Sequence, residues 1–264
     1  MNNAPLGVFD SGIGGLTVAR ALFERLPQES VIYFGDTARV PYGPKSPDTV
    51  RRYSGEILAY LLQRGVKAVV VACNTSTAHA LGFLQERSPV PVVGVIEPGA
   101  RAAVAATRTG TIGVIGTAGT IASGAYERAI KALRADARVN SQPCPLLVPL
   151  VEEGWFEHPA AELIAREYLE PLKRAKVDVL VLGCTHYPLL KPLLARVMGP
   201  DVKLVDSAEE TATVVSRQLE RLDLLSNGGN HEHRFVVSDD EPHFRKVGAL
   251  FLGTTLKQVE VAPL

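Results

Sequence analysis

The chain has 264 residues, of which 46% are hydrophobic and 21% are charged, a composition typical of a globular protein with one large domain or two smaller ones. Its 28 basic and 28 acidic residues cancel. There is no basic run or stripe that would follow a phosphate backbone, so nucleic acid is not expected as a partner.

The three cysteines, Cys73, Cys144 and Cys184, are odd in number and far apart. They form no CxxC pair and have no histidine at metal-ligand spacing, so neither a disulfide framework nor a metal site is predicted. The N-terminal segment lacks the basic and apolar regions of a signal peptide, and charged residues interrupt every apolar stretch before it reaches the length of a bilayer. The sequence therefore predicts a cytoplasmic protein with no membrane among its partners.

Short runs of valine, isoleucine and leucine alternate with helical patterns along the chain. Strands that alternate with helices indicate βα units, which build a mostly parallel sheet with helices on both faces. The predicted strands cover residues 6–9, 31–34, 68–72, 92–96, 111–115, 146–150, 177–182 and 202–205.

Two of the intervening helices carry clear terminal signals. Ser46 followed by Pro47 is typical of a helix N-terminus, and Gly65 is typical of the end of that helix. Ser207 with Glu210 three residues later has the pattern of a capping box before a second amphipathic helix. Both helices fall between predicted strands, as βα units require.

A faint internal repeat divides the chain into two related halves. Residues 7–12 resemble residues 113–118, and residues 69–75 resemble residues 179–185 at a similar offset. In each half, the first of these segments is followed by a helical pattern. The repeat predicts two similar α/β domains that face each other.

The predicted domain boundaries follow from this repeat. The first domain takes residues 1–97 and residues 210–264, and the second takes residues 98–209. The C-terminal stretch is assigned to the first domain because strand and helix patterns in residues 234–261 could complete its sheet.

Polar residues follow several of the predicted strands. In open parallel sheets, ligands bind beyond the carboxyl ends of the strands, where loops meet helix N-termini. Clustering at one edge of the sheet therefore predicts a binding site. The residues at these positions are Asp10, Ser11, Asp36, Thr37, Cys73, Asn74, Thr75, Thr117, Cys184, Thr185 and His186.

Cys73 and Cys184 each follow an apolar strand at equivalent positions of the repeat. A single cysteine in this setting is more often an inert small apolar side chain than a nucleophile. An equivalent pair, one followed by Asn74-Thr75 and the other by Thr185, instead indicates reactive thiols. Cys144 lacks that setting and is interpreted as structural. Two opposed thiols suit racemisation, because one thiolate removes a Cα proton while the opposite thiol delivers another.

A free thiol titrates near about pH 8.5, so the proton-removing group needs neighbours that favour the thiolate. His186, two residues after Cys184, is a candidate for this role, and the alternative is an ordinary buried histidine. Glu152 follows the apolar run 146–150 at another predicted strand end. It is either a supporting acid or only an acid at a helix terminus.

Gly12, Gly14 and Gly15 follow a strand and open a helix, as the glycines of nucleotide-binding loops do. Their spacing does not fit that fingerprint, because Thr17 stands where the last glycine belongs and Asp10 comes just before the first. An acid at this turn would repel a pyrophosphate but suit an ammonium group. A dinucleotide is therefore not expected here.

Four segments of the chain carry a resemblance to a known family: residues 7–18 (GVFDSGIGGLTV), 36–43 (DTARVPYG), 72–75 (ACNT) and 182–188 (LGCTHYP). In this order they resemble the glutamate racemase family of the aspartate/glutamate racemase superfamily. The resemblance implies an α/β fold of two similar flavodoxin-like domains, with mostly parallel sheets related by pseudo-symmetry and the active site between them. It also implies a homodimer without a cofactor that interconverts L- and D-glutamate and supplies the D-isomer for peptidoglycan.

The resemblance further implies roles for individual residues. Cys73 would act on D-glutamate with support from Asp10. Cys184 would act on L-glutamate with support from His186 and Glu152. Hydroxyl, amide and backbone N–H groups suit the two carboxylates of glutamate, and an acid suits its ammonium group. The implied substrate contacts are Asp10, Ser11, Tyr42, Gly43, Asn74, Thr75, Thr117, Thr185 and His186.

Three alternatives stay open. An aspartate racemase, or another amino-acid racemase of the superfamily, would share both cysteines and the fold, because sequence does not size a pocket to one methylene. A non-catalytic ligand-binding module would keep the fold without turnover. A thiol hydrolase would use one nucleophilic cysteine with His186 as its base.

Overall fold

The computed structural model describes residues 3–228, 231–256 and 258–264. Its strands are β1 (Leu6–Asp10), β2 (Val31–Gly35), β3 (Ala68–Val71), β4 (Val92–Gly94), β5 (Thr111–Gly116), β6 (Arg138–Pro143), β7 (Val179–Gly183), β8 (Lys203–Val205), β9 (His233–Val237) and β10 (Val259–Val261). Its α-helices are α1 (Leu16–Arg25), α2 (Pro47–Gln63), α3 (Asn74–Arg87), α4 (Ile96–Ala106), α5 (Ala118–Ala122), α6 (Ala125–Leu133), α7 (Leu147–Glu152), α8 (Pro159–Arg174), α9 (Lys191–Met198), α10 (Ala208–Arg221) and α11 (Glu241–Leu252). Short 3-10 helices cover Thr37–Arg39 and Tyr187–Leu190.

Within the described residues the strands form two sheets. The first has the order β10-β9-β2-β1-β3-β4, and the second has the order β6-β5-β7-β8. Every strand pair in both sheets is parallel. The predicted α/β class with mostly parallel sheets is confirmed.

The two sheets share a central strand order. β1 lies between β2 and β3 with β4 beyond, and β5 lies between β6 and β7 with β8 beyond. β1 and β5 open the two segments of the internal repeat, and β3 and β7 precede the two repeated cysteines. The first sheet is then extended by β9, which pairs with β2, and by β10.

The strands of the first sheet come from residues 6–94 and 233–261, and those of the second from residues 111–205. Helix α10 contacts α1 as well as α4, and so lies between the two sets of elements. The predicted boundaries, 97/98 and 209/210, fall in the first turns of α4 and α10 and stay a prediction. Residues 1, 2, 229, 230 and 257 of the predicted first domain lie outside the described part of the chain.

Apolar side chains of the central strands are buried on both faces of each sheet. All five residues of β1 and all five of β7 are buried. Helices cover both faces of a parallel sheet, so such strands need continuous apolar runs rather than an alternating pattern. This requirement explains why their positions were readable from the sequence.

The strand predicted at residues 146–150 is wrong. Residues Leu147–Glu152 form α7, and the strand that precedes it is β6. A short apolar run fits a buried strand or a buried helix equally well by its periodicity. β6 was missed because it is an edge strand of polar, partly exposed residues. Glu152 is consequently the last residue of a helix and does not follow a strand.

The helix-terminal signals have different outcomes. Ser46 caps α2 by accepting a hydrogen bond from the backbone N–H of Thr49 at 3.3 Å. Gly65 follows that helix with a φ of +68°, a conformation that glycine adopts readily. Ser207 precedes α10, but its side chain makes no capping hydrogen bond. The predicted capping box is therefore wrong, and the Ser207 hydroxyl is available for another contact.

Two features are absent from the described residues. Across the described ranges, no helix combines the length and apolar character that a bilayer span requires. In the same part of the chain, no group of three or more histidine, cysteine, aspartate or glutamate side chains is arranged to hold a metal ion.

Candidate active site

Cys73 lies where β3 gives way to α3. It occupies the N-cap position of α3, and its Sγ accepts a hydrogen bond from the backbone N–H of Ser76 at 3.5 Å. The same sulfur lies 3.7 Å from Oγ of Ser11, which directly follows β1. β1 and β3 are neighbouring parallel strands, so their carboxyl ends bring Ser11 and Cys73 together.

Cys184 occupies the equivalent position after β7. Its Sγ lies 3.9 Å from Nδ1 of His186. On the other side of the imidazole ring, Nε2 lies 3.0 Å from Oε1 of Glu152 at the end of α7. Cys184 and His186 are buried. The His186 ring therefore connects the Glu152 carboxylate with the Cys184 thiol inside the second half.

The electrostatics of this array favour a charged histidine. Burial alone would lower the pKa of His186, but hydrogen bonds with Cys184 and Glu152 and their negative charges raise it to about 10. Burial would raise the pKa of Glu152, yet its hydrogen bond with His186 and the positive charge of that ring lower it. At neutral pH the pair is an imidazolium and a carboxylate. The positive ring attracts negative charge that develops on the Cys184 sulfur.

The surroundings of Cys73 have the opposite effect. Burial and the negative charge of Asp10 raise the pKa of Cys73 to about 12, against hydrogen bonds with Ser76 and Ser11. Burial also raises the pKa of Asp10, against the positive charge of His186 and nearby backbone N–H groups. Cys73 is therefore a neutral thiol at neutral pH. The two cysteines are equivalent in the repeat but have different neighbours: an imidazolium lies beside Cys184, and the carboxyl group of Asp10 lies near Cys73.

A single cleft is lined by both cysteines. The loops after β1, β3, β5 and β7 supply much of its wall, as expected for parallel sheets that bind ligands at their carboxyl ends. The lining consists of Ser11, Val40, Pro41, Tyr42, Gly43, Cys73, Asn74 and Thr75 from the first half, and of Thr117, Val148, Cys184, Thr185 and His186 from the second.

Two predicted site residues, Asp10 and Glu152, lie behind this lining. Asp10 is fully buried, and its Oδ2 accepts a hydrogen bond from the backbone N–H of Gly12 at 3.1 Å. Its Oδ1 lies 3.5 Å from Oγ1 of Thr185. Glu152 meets the cleft through His186. The structure brings all the other predicted catalytic and substrate-contact residues to the cleft wall. Asp36 and Thr37, which also follow a strand, do not line the cleft: Asp36 accepts from Tyr42, and the Thr37 hydroxyl donates to the carbonyl oxygen of Asp239.

Three apolar lining residues, Val40, Pro41 and Val148, were not predicted. Val40 and Pro41 belong to the 36–43 segment, in which only the polar residues and a glycine were singled out. Val148 belongs to the run that was mistaken for a strand. The Tyr42 hydroxyl donates to the buried Asp36 carboxylate, a partnership that no sequence spacing indicated.

Direct hydrogen bonds join the two halves around the cleft. The hydroxyls of Thr75 and Thr117 lie 2.9 Å apart. The backbone N–H of Gly119 donates to the carbonyl oxygen of Gly43 at 2.9 Å, and the Gly119 carbonyl oxygen lies 3.1 Å from Nε2 of His79. These contacts join the two halves across the cleft.

Comparison with known proteins shows which family the chain resembles. The sequence model of the Asp/Glu/Hydantoin racemase family matches residues 15–215. Over 257 residues the chain is 56% identical to the glutamate racemase of Geobacter metallireducens. The match covers 96% of this chain and 94% of that protein.

Two solved structures extend the comparison. A glutamate racemase isoform from Bacillus anthracis matches with a TM-score of 0.96 at 42% identity, over 100% of this chain and 99% of that one. The glutamate racemase of Francisella tularensis in complex with D-glutamate matches with a TM-score of 0.94 at 40% identity, over 99% and 98% of the two chains. The resemblance read from the sequence motifs is confirmed, and the chain belongs to the Asp/Glu/Hydantoin racemase family.

Proposed function

We propose that this chain racemises glutamate without a cofactor, with Cys73 and Cys184 as its two acid–base groups. The observation that carries the proposal is that two thiols from equivalent strand ends line one cleft. Racemisation requires a proton acceptor on one face of Cα and a proton donor on the other. A protein named glutamate racemase that is 56% identical to this chain supports glutamate as the substrate.

The reaction from L-glutamate begins at Cys184. Its thiolate takes the Cα proton, and the electron pair of the C–H bond passes to Cα and is delocalised into the adjacent carboxylate. The Cys73 thiol then gives its proton to the opposite face, which forms D-glutamate and leaves the negative charge on Cys73. Conversion of D-glutamate follows the same steps in reverse.

The resting electrostatics suit the L-glutamate direction. The His186 imidazolium, supported by Glu152, attracts negative charge on Cys184. Burial and the charge of Asp10 keep Cys73 protonated, with a pKa of about 12. Asp10 therefore supports Cys73 as a proton donor and not as a lasting thiolate. Glu152 and Asp10 act through other side chains and are positioning residues.

The cleft wall suits the two carboxylates of glutamate. Hydroxyl and amide groups come from Ser11, Asn74, Thr75, Thr117 and Thr185, and Tyr42, Gly43 and His186 complete the proposed contacts. Donors in a closed cleft bind a carboxylate more strongly than they would in water. The apolar side chains of Val40, Pro41 and Val148 help to exclude water during the reaction.

The deciding experiment is proton NMR of the purified protein with L-glutamate in D₂O, without added cofactor, alongside optical rotation of the same sample. Loss of the Cα proton together with decay of the rotation to zero is expected. If L-aspartate reacts and L-glutamate does not, the chain is an aspartate racemase. If neither reacts but glutamate binds in calorimetry, the ligand-binding module is the correct description.

We further propose that the product supplies D-glutamate for peptidoglycan synthesis in the cytoplasm, and hence cell wall biogenesis and cell shape, and that the protein acts as a homodimer. These assignments extend the family resemblance. Growth of a D-glutamate auxotroph that expresses this chain tests the supply of D-glutamate. Light scattering on the protein as it elutes from a size-exclusion column gives its molar mass and so tests the dimer.

The two halves are also proposed to move as domains, residues 1–97 plus 210–264 against residues 98–209. The strand content of the two sheets and the hydrogen bonds that close the cleft support this division. Hydrogen exchange with and without glutamate tests it, because closure should protect the backbone N–H of Gly119, which donates to Gly43 across the cleft.

A further inference from the structure

We propose that Tyr126 is a positioning residue for the racemase reaction: its hydroxyl fixes the Asn74 amide so that the NH₂ group donates to a substrate carboxylate. The inference rests on the proposed function and deepens it by assigning a residue outside the sequence motifs. Tyr126 lies in α6 of the second half, whereas Asn74 opens α3 in the first half.

The key contact crosses between the two halves. The Tyr126 hydroxyl donates to Oδ1 of Asn74 at 2.7 Å, and both side chains are buried. Asn74 lines the cleft directly beside Cys73. A side-chain amide offers one acceptor and two donors. Once Tyr126 holds the oxygen, the NH₂ group is the part of the amide that remains for a carboxylate.

Without such a partner, the orientation of the amide would be weakly specified. Rotation of the terminal torsion exchanges the oxygen and nitrogen at little cost in shape. The exchanged orientation would present a carbonyl oxygen to a carboxylate, which repels it. A donor fixed on Oδ1 therefore selects the orientation that binds substrate.

The side chain of Ser207 lies close to the Tyr126 hydroxyl, as both lie near a Cβ added at Gly99. Burial and the negative charges of Asp206 and Cys184 raise the pKa of Tyr126, while a hydrogen bond with the Ser207 side chain lowers it, as a donor to the phenolic oxygen does. Ser207 does not cap its own helix. The phenol gives its own proton to Asn74, which leaves the phenolic oxygen to accept from Ser207.

The ring of Tyr126 is held by two close backbone approaches. A Cβ added at Gly183, the last residue of β7, would lie 2.9 Å from Cε2 of the ring. A Cβ added at Gly99, in α4, would lie 3.1 Å from the hydroxyl. Both positions have glycine, so the ring fits where a side chain would displace it. The backbone at Gly99 and Gly183 thus fixes the ring in the position from which its hydroxyl reaches Asn74.

The test is a double-mutant cycle on Tyr126→Phe and Asn74→Ala. Tyr126→Phe keeps the ring and should raise KM for glutamate about 3- to 10-fold with kcat changed less than about twofold, because it weakens binding of substrate and transition state alike. In the Asn74→Ala background the same change should alter kcat/KM less than about twofold, since no amide remains to be oriented. Ser207→Ala should show a smaller rise in KM, also lost in that background.

A purely structural role of Tyr126 gives different results. The fall in kcat/KM would then be the same in both backgrounds, and that outcome, or an unchanged KM in Tyr126→Phe, overturns the inference. Calorimetric Kd values for glutamate in all four forms keep the cycle readable where turnover is too slow to follow. The matched control is Tyr60→Phe, a buried tyrosine that packs on Phe34, which should leave KM unchanged. A wild-type chain without racemase activity would instead refute the proposed function itself.

Discussion

Nε2 of His186 lies 3.0 Å from Oε1 of Glu152, while Nδ1 of the same ring lies 3.9 Å from the sulfur of Cys184. One buried imidazole therefore links a carboxylate to a thiol in the second half. Around Cys73 the neighbours are the hydroxyl of Ser11 and the backbone N–H of Ser76. The pseudo-symmetry of the fold thus ends at the thiols, because a charged ring lies beside Cys184 whereas hydroxyl and backbone N–H groups lie beside Cys73.

Replacing Glu152 by glutamine tests the support of His186. The variant keeps the size of the side chain but removes the charge that helps to raise the pKa of His186 to about 10. We expect that pKa to fall, as followed by NMR of labelled histidine, and kcat for L-glutamate to drop about 10- to 100-fold, the cost of one charge-assisted hydrogen bond. An unchanged kcat with a lowered His186 pKa would show that the imidazolium is not needed for turnover.

The same histidine predicts a pH dependence of stability. Its pKa is about 10 in the folded chain against an ordinary 6.5, so protonation favours the folded state. This contribution to the free energy of unfolding is fully present below pH 6.5 and is lost as the pH rises through 10. The stability advantage of the wild type over His186→Asn, measured by urea titration, should shrink across that window. A constant or growing advantage would contradict a protonated His186.

The two-thiol mechanism predicts that Cys73→Ala and Cys184→Ala each abolish racemisation. Loss of an acid–base group costs about 10²–10⁴-fold in rate, and neither thiol can serve both faces of Cα. Circular dichroism should show nearly normal folding of both variants. Optical rotation of L-glutamate gives the rate.

Cys144→Ala is the matched control, because Cys144 is equally buried and lies outside the cleft lining. It should retain most of the activity. Substantial racemisation by either of the other two variants would refute the mechanism. Full activity of Cys73→Ala toward a hydrolysable substrate would favour the thiol hydrolase with His186 as base.

The sequence predicted the parallel α/β fold and most of the cleft wall for physical reasons. Strands buried on both faces, such as β3 and β7, must be continuous apolar runs. Polar residues at their carboxyl ends then meet at one edge of the sheet. Cys73 and Cys184 follow β3 and β7, are predicted on these grounds, and both line the cleft.

What the sequence did not predict depends on packing between distant segments. The position of Val148 in the cleft lining was not predicted, because a short apolar run does not distinguish a helix from a strand. The contact of Tyr126 with Asn74 joins residues 52 positions apart in different halves. Ser207 matched a capping box, but its side chain interacts with Tyr126 instead. Local patterns carry no information on such pairings, since these arise only when distant segments of the chain pack together.

Gly14→Ala should separate the two halves where they meet at His186. A Cβ added to Gly14 would lie 2.5 Å from Nδ1 of His186 and closer still to Oγ1 of Thr185, so the loop after β1 would have to move. We expect kcat/KM for glutamate to fall about 100-fold, because a displacement of about 1 Å at the reacting groups has an effect of that size. Gly82→Ala is the control: Gly82 lies in α3 with nothing within 4 Å of an added Cβ, and alanine should stabilise the helix by about 0.5–1 kcal/mol with activity unchanged. A Gly14→Ala protein as active as the Gly82→Ala protein would mean that close contact of this loop with His186 is not required for turnover.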